Sequence, residues 1–294
     1  MHSLIQQIFL FLALICLAQG ASMCPNAKGK LNSVLPDPQQ GEYSIFIWGN
    51  DLFKADTLLN TNVNCLINTK KYSTIGLFVG FSSFSSYNFY PMYYSVNVIN
   101  AFFNNKLKKE IMLYVNFNET SEQAINAYVQ DRLSPFIANK TLINKVWVRT
   151  NIDPNCPKPS NYVNCQVLSV PENHQILNTA LTAVTNLGFQ AGIYTNEGIW
   201  ELAFDVGSSK KAKRKLKDLG DFPLMYDDSD YSDVEPSYKK YQPIGPWDYP
   251  AAKMSGYWYI DETCCWPGQV VWTKNTNSSA AQKTQTQREY INDF

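Results

Sequence analysis

From Tyr43 to Phe204 the chain alternates between short apolar runs and segments of helical periodicity, and this alternation limits the possible folds most strongly. The runs Thr74–Gly80 and Ile111–Val115 are almost continuously apolar, as strands buried on both faces of a parallel sheet are. Thr120–Ala138, by contrast, has apolar residues at helical spacing behind a Thr or Ser cap. Strands separated by helices in this way predict βαβ units.

After Phe204 helical segments become scarce. The runs Phe222–Tyr226, Ala251–Met254 and Gln269–Trp272 are short strands joined by loops, which brings the total to about eight strands. We therefore expect an α/β fold, a parallel TIM-like barrel of about five strand-helix units followed by three helix-poor strands. An open doubly wound sheet is the competing architecture, but no glycine-rich phosphate loop follows an early strand.

The N-terminus has the pattern of a secretory signal. Ile8–Ala18 is apolar but too short to span a bilayer, which takes about 20 residues, and small residues follow it. We expect residues 1–20 to be a signal peptide, 21–273 a single barrel domain and 274–294 a polar, disordered tail. The expected location is extracellular, or a lysosome-like compartment reached through the secretory pathway, with no membrane span.

Removal of residues 1–20 would leave six cysteines, and an even number in a secreted chain predicts disulfides. Cys156 and Cys165 are the favoured local pair because prolines mark a loop between them, whereas the partners of the other cysteines stay open. N-glycosylation sequons permit modification at three sites, although composition alone would give about that number. They lie at Asn118, Asn139 and Asn277.

Charge and composition exclude several classes of function. Lys and Arg number 25, as do Asp and Glu, and this zero net charge argues against a nucleic-acid binder or a polybasic membrane binder. With only two histidines and no C-x-x-C pair, a Ser-His-Asp triad or a zinc site is disfavoured. We expect no cofactor and no metal, although the acidic stretch Asp227–Asp233 could instead bind a hard cation such as calcium.

Four blocks in the second half of the chain carry a resemblance to a known family. They are Gly188–Thr195 with Trp200 after it, Phe222–Tyr226, Ile244–Trp247 leading to Pro250–Lys253, and Gly268–Trp272. In these blocks the chain resembles glycoside hydrolase family 25, in the eukaryotic branch of these lysozyme-like barrels. The resemblance implies a barrel that acts on or binds a polymeric amino-sugar glycan such as peptidoglycan; we expect it to be a monomer.

The expected catalytic acids are largely replaced. Glycoside hydrolysis normally uses two carboxyl groups that flank the scissile bond. The resemblance implies an Asp-x-Glu pair at the end of the fourth barrel strand, where this chain has Arg149-Thr-Asn151, and neither arginine nor asparagine exchanges a proton near neutral pH. The family's acid on the first strand falls near Asp51, which also suits a helix cap, and that of the last strand falls near Gln269 or Val270.

Other acids are candidates for a relocated catalytic pair. Asp153 has the same strand parity as Arg149 and follows the strand end. Asp227 and Asp228 open an acidic loop in which crowded carboxylates would raise one another's pKa, as an acid catalyst requires. For each of these acids the sequence alone favours a solvated loop position over a catalytic one.

Aromatic residues near the strand ends could stack on sugar rings at one barrel mouth, or could pack in the core. They are Tyr194, Tyr226, Trp247 and Trp272. Three functions follow from these patterns: a degenerate lysozyme-like protein that binds a glycan without cleaving it, an active glycosidase with relocated acids, or a secreted structural or interaction protein.

Overall fold

The computed structural model describes residues 41–47, 72–82, 90–92, 96–116, 120–151, 168–204, 216–228, 244–258 and 268–274. Several predictions lie outside these residues and stay predictions. They concern the signal peptide, all of the cysteines, Asp51, Asp153, the sequons at Asn118 and Asn277, and residues 275–294 of the tail expected at 274–294, whose first residue ends the last strand.

Eight strands close into a barrel, and a ninth extends the sheet. The strands are β1 (Gly41–Ile47), β2 (Thr74–Ser82), β3 (Tyr90–Met92), β4 (Lys108–Asn116), β5 (Ile143–Asn151), β6 (Ala191–Thr195), β7 (Leu224–Asp228), β8 (Ala252–Trp258) and β9 (Gly268–Lys274). Because β1 pairs with both β2 and β9, strands β1, β2 and β4 to β9 form a closed ring. The expected α/β barrel is confirmed.

Helices follow the early strands of the ring. The described helices are α1 (Val96–Phe103), α2 (Glu122–Leu133), α3 (Val170–Asn186) and α4 (Glu197–Phe204), with 3-10 turns at Ser134–Leu142 and Lys217–Asp221. Polar caps fix two of their starts: the Ser121 hydroxyl accepts from the Ala124 N–H at 3.2 Å, and the Ser169 N–H donates to the Glu172 carboxylate at 2.9 Å. Within the described part of the chain, no helix has the length and hydropathy needed to cross a membrane.

Two strands differ from the expectation of an all-parallel barrel. β9 runs antiparallel to both β8 and β1. Only residues 259–267 separate β8 from β9, and a parallel return usually needs a crossover of a dozen or more residues. The short strand β3 is the other exception, since it pairs antiparallel with the end of β2.

Side chains alternate between the barrel lumen and the layer beneath the helices. The lumen is filled mainly by large residues. These are Phe46, Phe78, Met112, Tyr114, Trp147, Tyr194, Met225, Ala252, Met254 and Val271. The outward-facing residues of the strands form a second, larger core with the helices, in which Val148 of β5 and Leu177 of α3 are examples.

Glycines inside the lumen make room for aromatic rings on the neighbouring strand. An ideal Cβ at Gly76 of β2 would lie 2.2 Å from the ring of Phe46, and one at Gly192 of β6 would lie 2.6 Å from the ring of Trp147. Real side chains do not approach this closely, so the rings occupy the volume that a side chain would take. The lumen is therefore packed by pairing a glycine with a large ring.

We expect Gly76→Ala to lower the free energy of unfolding by about 1–3 kcal/mol, because the added methyl group overpacks the lumen against Phe46. Gly198→Ala in α4 is the matched control, since its nearest neighbour would be 3.7 Å away. The control should be neutral or stabilise the protein by about 0.5–1 kcal/mol. Denaturant unfolding measures both, and equal destabilisation by the two variants would contradict this packing.

Lys109 at the start of β4 is a buried cation on the outer side of the barrel. Its side chain is 4% exposed. The ammonium donates to the carbonyl and side-chain oxygens of Asn105 at 3.0 and 2.9 Å, and to the carbonyl of Leu107. Burial lowers the pKa of Lys109 to about 8.

This lowered pKa predicts a defined dependence of stability on pH. The unfolded chain holds the Lys109 proton up to a pKa near 10.5, whereas the folded chain releases it near 8, so between these values the unfolded state binds more protons. The free energy of unfolding of the wild type, measured relative to Lys109→Met, should therefore rise from pH 8 to pH 10.5. A difference that stays flat or falls over this range would contradict the buried ammonium.

Candidate functional site at the barrel mouth

Four polar or aromatic side chains occupy neighbouring strands near the end at which the parallel strands finish. Tyr114 of β4 lies opposite Arg149 of β5, and Arg149 lies opposite Tyr194 of β6. Asp227 of β7 lies two positions beyond Met225, the strand partner of Tyr194. Parallel barrels build their functional sites at this end, here called the mouth.

The guanidinium of Arg149 is fixed between two tyrosines. Its Nη1 donates to the hydroxyl oxygen of Tyr114 at 2.7 Å. Its Cζ lies over both phenol rings, 4.8 Å from the centroid of Tyr114 and 4.8 Å from that of Tyr194. Both distances are within the range of cation–π attraction, so a positive charge is held at the mouth.

Helix α2 forms a hydrogen bond to the backbone of β4 at this site. The hydroxyl of Tyr128 donates to the backbone carbonyl of Tyr114 at 2.7 Å. Gly80 of β2 permits this contact, because it has a φ of +104° and an ideal Cβ would lie 2.4 Å from the Tyr128 hydroxyl. Any side chain at position 80 would therefore be strained and would displace Tyr128.

Tyr194 is a neutral hydrogen-bonding group at the centre of the site. Burial raises its pKa well above the ordinary value for a phenol. The carboxylate of Asp227 raises this pKa further, whereas the guanidinium of Arg149 lowers it. The hydroxyl thus keeps its proton, and it stands between a cation on β5 and an anion on β7.

Of the four candidate acids, Asp227 has a described side chain, and the structure brings it to the mouth with Arg149. Asp228 ends β7, and Asn151 ends β5 opposite Asn116, but only the backbone is described at these two ends. Asp51 and Asp153 lie outside the described residues. The roles suggested for these residues stay predictions.

Of the two alternatives for the four aromatics, the structure shows packing and not a group of four at one mouth. Tyr194 faces the lumen. Tyr226 of β7 packs against the outer core, because it comes one position after the lumen residue Met225. Trp247 also lies in the outer core, where its Nε1 donates to the Phe222 carbonyl at 2.7 Å. Trp272 pairs with residue 43 near the start of β1, because the antiparallel direction of β9 carries it to the end opposite the mouth.

Sequence reasoning missed Tyr114, the hydrogen-bond partner of Arg149. The apolar run around Tyr114 predicts a strand, but the sequence does not show which residue of the next strand lies opposite Tyr114. The available signal was that Arg149 and Asn151 lie two positions apart on one strand and so share a face of the sheet. This spacing separates lumen residues from outer residues once the strand register is known.

A second polar group lies near the N-terminal end of the parallel strands. The Nε1 of Trp147 donates to the Glu110 carboxylate at 2.8 Å, and the Lys145 ammonium lies 4.7 Å from the Trp147 ring centroid. Burial raises the pKa of Glu110 and lowers that of Lys145, although each charge opposes the shift of the other. This position at the N-terminal end of the strands indicates a role in stability.

We expect Tyr114→Phe to lower the free energy of unfolding by about 1–3 kcal/mol, because it removes the acceptor of a partly buried charged donor. Tyr249→Phe, at a side chain that is 61% exposed, is the control and should change stability by less than about 0.5 kcal/mol. Thermal or denaturant unfolding reports both values. If Tyr114→Phe changes the free energy of unfolding as little as Tyr249→Phe does, the Tyr114 hydroxyl does not anchor Arg149.

Several solved structures are similar to this chain. The spore cortex lytic enzyme SleM of Clostridium perfringens is 12% identical over 83% of this chain and 70% of that chain, with a TM-score of 0.56. A glycosyl hydrolase 25 of Streptococcus pneumoniae is 12% identical, with coverage of 79% and 87% and a TM-score of 0.47. The catalytic domain of the endolysin ply40 from bacteriophage P40 of Listeria monocytogenes is 10% identical, with coverage of 81% and 94% and a TM-score of 0.48.

At 12% identity the similarity to SleM supports the fold alone. Comparison with curated protein sequences gives no match. A family model described as lysozyme-like protein 1 matches residues 50–254, which is more than half of the chain. This match confirms the resemblance to lysozyme-like barrels that the sequence blocks indicated. The chain belongs to the lysozyme-like protein 1 family.

Proposed function

We propose that this protein is a secreted lysozyme-like barrel that binds peptidoglycan-type amino-sugar glycans at its mouth and does not hydrolyse them efficiently. Membership of a lysozyme-like family and the fold shared with a spore cortex lytic enzyme support the class of ligand. The position of Arg149, fixed between two tyrosines at the mouth, is the observation that carries the loss of hydrolysis.

Arg149 opposes glycoside hydrolysis in two ways. It stands where the family resemblance implies the first acid of an Asp-x-Glu pair, and a guanidinium stays charged at every relevant pH and cannot transfer a proton. Hydrolysis also passes through a transition state with oxocarbenium character, which develops positive charge on the sugar. A fixed cation at the mouth would raise the energy of that transition state instead of lowering it.

Glycan binding does not require the pair of carboxyl groups that glycoside hydrolysis requires. The Asp227 carboxylate is hydrogen-bonded to the buried hydroxyl of Tyr194, and its further acceptor sites suit sugar hydroxyls and amides. Such convergent polar groups above an apolar, aromatic lumen are typical of ligand sites. The same polar groups would remain useful in a barrel that has lost its acid pair.

Features outside the described mouth complete the proposal. The apolar run Ile8–Ala18 supports secretion, and the oxidising compartment it leads to supports a Cys156–Cys165 disulfide. The Asn139 sequon lies on an exposed turn before β5, at the end of the barrel opposite the mouth, so a glycan there would not block the ligand. The domain limits 21–273 belong to the same proposal.

One observation favours an active glycosidase as the second candidate. Asp227 places a carboxylate at the mouth beside Tyr194. Hydrolysis would need another carboxyl group at a separation of about 5 to 9.5 Å, and Asp153 or an acid within 228–233 would have to supply it.

The purified secreted protein, incubated with labelled insoluble peptidoglycan, separates these functions when both retained protein and released soluble fragments are measured. We expect retention on the glycan with no release above the buffer blank, beside an active lysozyme as positive control. Asp227→Asn should weaken retention. Asp248→Asn, an exposed carboxylate before β8, is the matched control and should behave as the wild type.

Release of fragments that is lost in Asp227→Asn but kept in Asp248→Asn would establish the glycosidase and refute the binding proposal. Absence of both retention and release would exclude peptidoglycan as the ligand and favour the structural or interaction protein.

A further inference from the structure

A β-bulge at the start of β5 turns Lys145 into the barrel lumen. Ile143 and Val146 both belong to the outer core although they are three positions apart, so the alternation of faces is interrupted between them. The register shifts at the same place: Lys109 of β4 lies opposite Ile143, and the next residue, Glu110, lies opposite Lys145. Bulges re-aim side chains and are over-represented next to active sites.

The ammonium of Lys145 lies on an aromatic ring and has no hydrogen-bond acceptor. It is 4.7 Å from the centroid of the Trp147 ring. Among the residues that the structure describes, none accepts a hydrogen bond from it, and the Lys145 side chain is partly exposed. Because a protonated ammonium has three donors to satisfy, this environment favours the neutral amine. Burial accordingly lowers the pKa of Lys145.

Glu110 provides a carboxyl group beside this amine. Its Oε2 accepts a hydrogen bond from the Nε1 of Trp147 at 2.8 Å, and the ion pairs of the described residues do not join it to Lys145. Burial raises the pKa of Glu110, so this carboxyl group holds its proton more readily than an exposed one does. The attraction between the two charges reduces both shifts without reversing either, and both favour a neutral amine beside a carboxylic acid.

The other charges near this pair belong to Lys108 and Glu42, which shift the pKa of Glu110 in opposite directions. They form an ion pair with each other at 2.7 Å on the exposed side of β4 and β1. The flanking strands add glycines, with Gly76 of β2 opposite Glu110 and Gly192 of β6 next to β5. The pair therefore determines the chemistry of this end of the lumen.

Lys109 provides a comparison within the same strand pair. Burial lowers the pKa of Lys109 to about 8, but its side chain is 4% exposed and its ammonium donates to Asn105 and Leu107. Its nitrogen is thus held by acceptors and closed to a reagent. Lys145 differs in both respects, since it is partly exposed and has no acceptor among the described residues.

We infer that Lys145 is a reactive amine that forms an imine with small aldehydes, with Glu110 as the proton donor. A neutral lysine in a desolvated site is the nucleophile that such a reaction requires. The site lies at the end of the barrel opposite the mouth, because Arg149 follows Lys145 by four positions of β5, or about 13 Å. The inference therefore goes beyond the proposed binding of a glycan at the mouth.

The reaction needs no other reagent. The lone pair of the Lys145 nitrogen attacks the carbonyl carbon and forms a C–N bond, and a proton passes from the nitrogen to the carbonyl oxygen to give a carbinolamine. Glu110 then protonates the hydroxyl group, the C–O bond breaks, and water leaves as the nitrogen lone pair completes the C=N bond. The iminium returns its proton to the Glu110 carboxylate, so amine and aldehyde give imine and water.

Reductive trapping of the folded protein tests this reactivity. The protein is treated briefly at neutral pH with glycolaldehyde and sodium cyanoborohydride, which reduces an imine to a stable amine, and peptide mass spectrometry measures the labelling of each lysine. Lys145 should be labelled several-fold faster than the exposed Lys106, because more of its amine is neutral. Lys109 should stay unlabelled, because it is buried and held by acceptors.

Glu110→Gln separates the proton donor from the nucleophile, since glutamine keeps an oxygen for the Trp147 Nε1 but supplies no proton. Labelling of Lys145 by the aldehyde should slow several-fold. Labelling by acetic anhydride, which needs no such proton, should be unchanged or faster, because the variant removes an anion that raises the pKa of Lys145. Glu122→Gln, at an exposed carboxylate of α2, is the matched control and should behave as the wild type.

Protection of Lys109 from both reagents reports that each variant is folded. If both reagents label wild-type Lys145 no faster than Lys106, the reactive amine is refuted. If folded Glu110→Gln reacts with the aldehyde as fast as the wild type, or loses reactivity towards both reagents equally, Glu110 is not the proton donor. Peptidoglycan takes no part in the experiment, so its outcome leaves the proposed function unchanged.

Discussion

Closure of the sheet is the constraint on which the rest of the structure depends. Because β1 pairs with β2 on one side and with β9 on the other, every second side chain of eight strands must share one lumen. The volume of the lumen is limited, and the chain fills it by placing glycine next to aromatic rings, as at Gly76 beside Phe46. The same alternation turns Arg149 and Tyr194 towards the mouth.

The mouth formed in this way carries a guanidinium as well as a carboxylate. Retaining and inverting enzymes present two carboxyl groups to a sugar that becomes positively charged. Here a guanidinium, held by Tyr114 and backed by Tyr128, stands on β5, and Asp227 stands two strands away. We propose that this arrangement holds a glycan without breaking its glycosidic bond.

The barrel could be predicted from the sequence, but the side chains that line its mouth could not. The continuous apolar runs within β2 and β4 predicted their strands because both faces of each strand are buried. The direction of β9 could not be read, because periodicity is the same for parallel and antiparallel strands. This direction moved Trp272 to the far end of the barrel, and parity turned Tyr226 outwards. Tyr114 escaped notice because strand register is a property of the folded sheet.

A crystal structure of the protein soaked with an intact muramic-acid-containing tetrasaccharide would test the central claim most directly. We expect an uncleaved glycan bound at the mouth, where Arg149 and Asp227 lie. A cleaved glycan, or an intact one whose scissile bond lies between two carboxyl groups of the protein, would contradict the account.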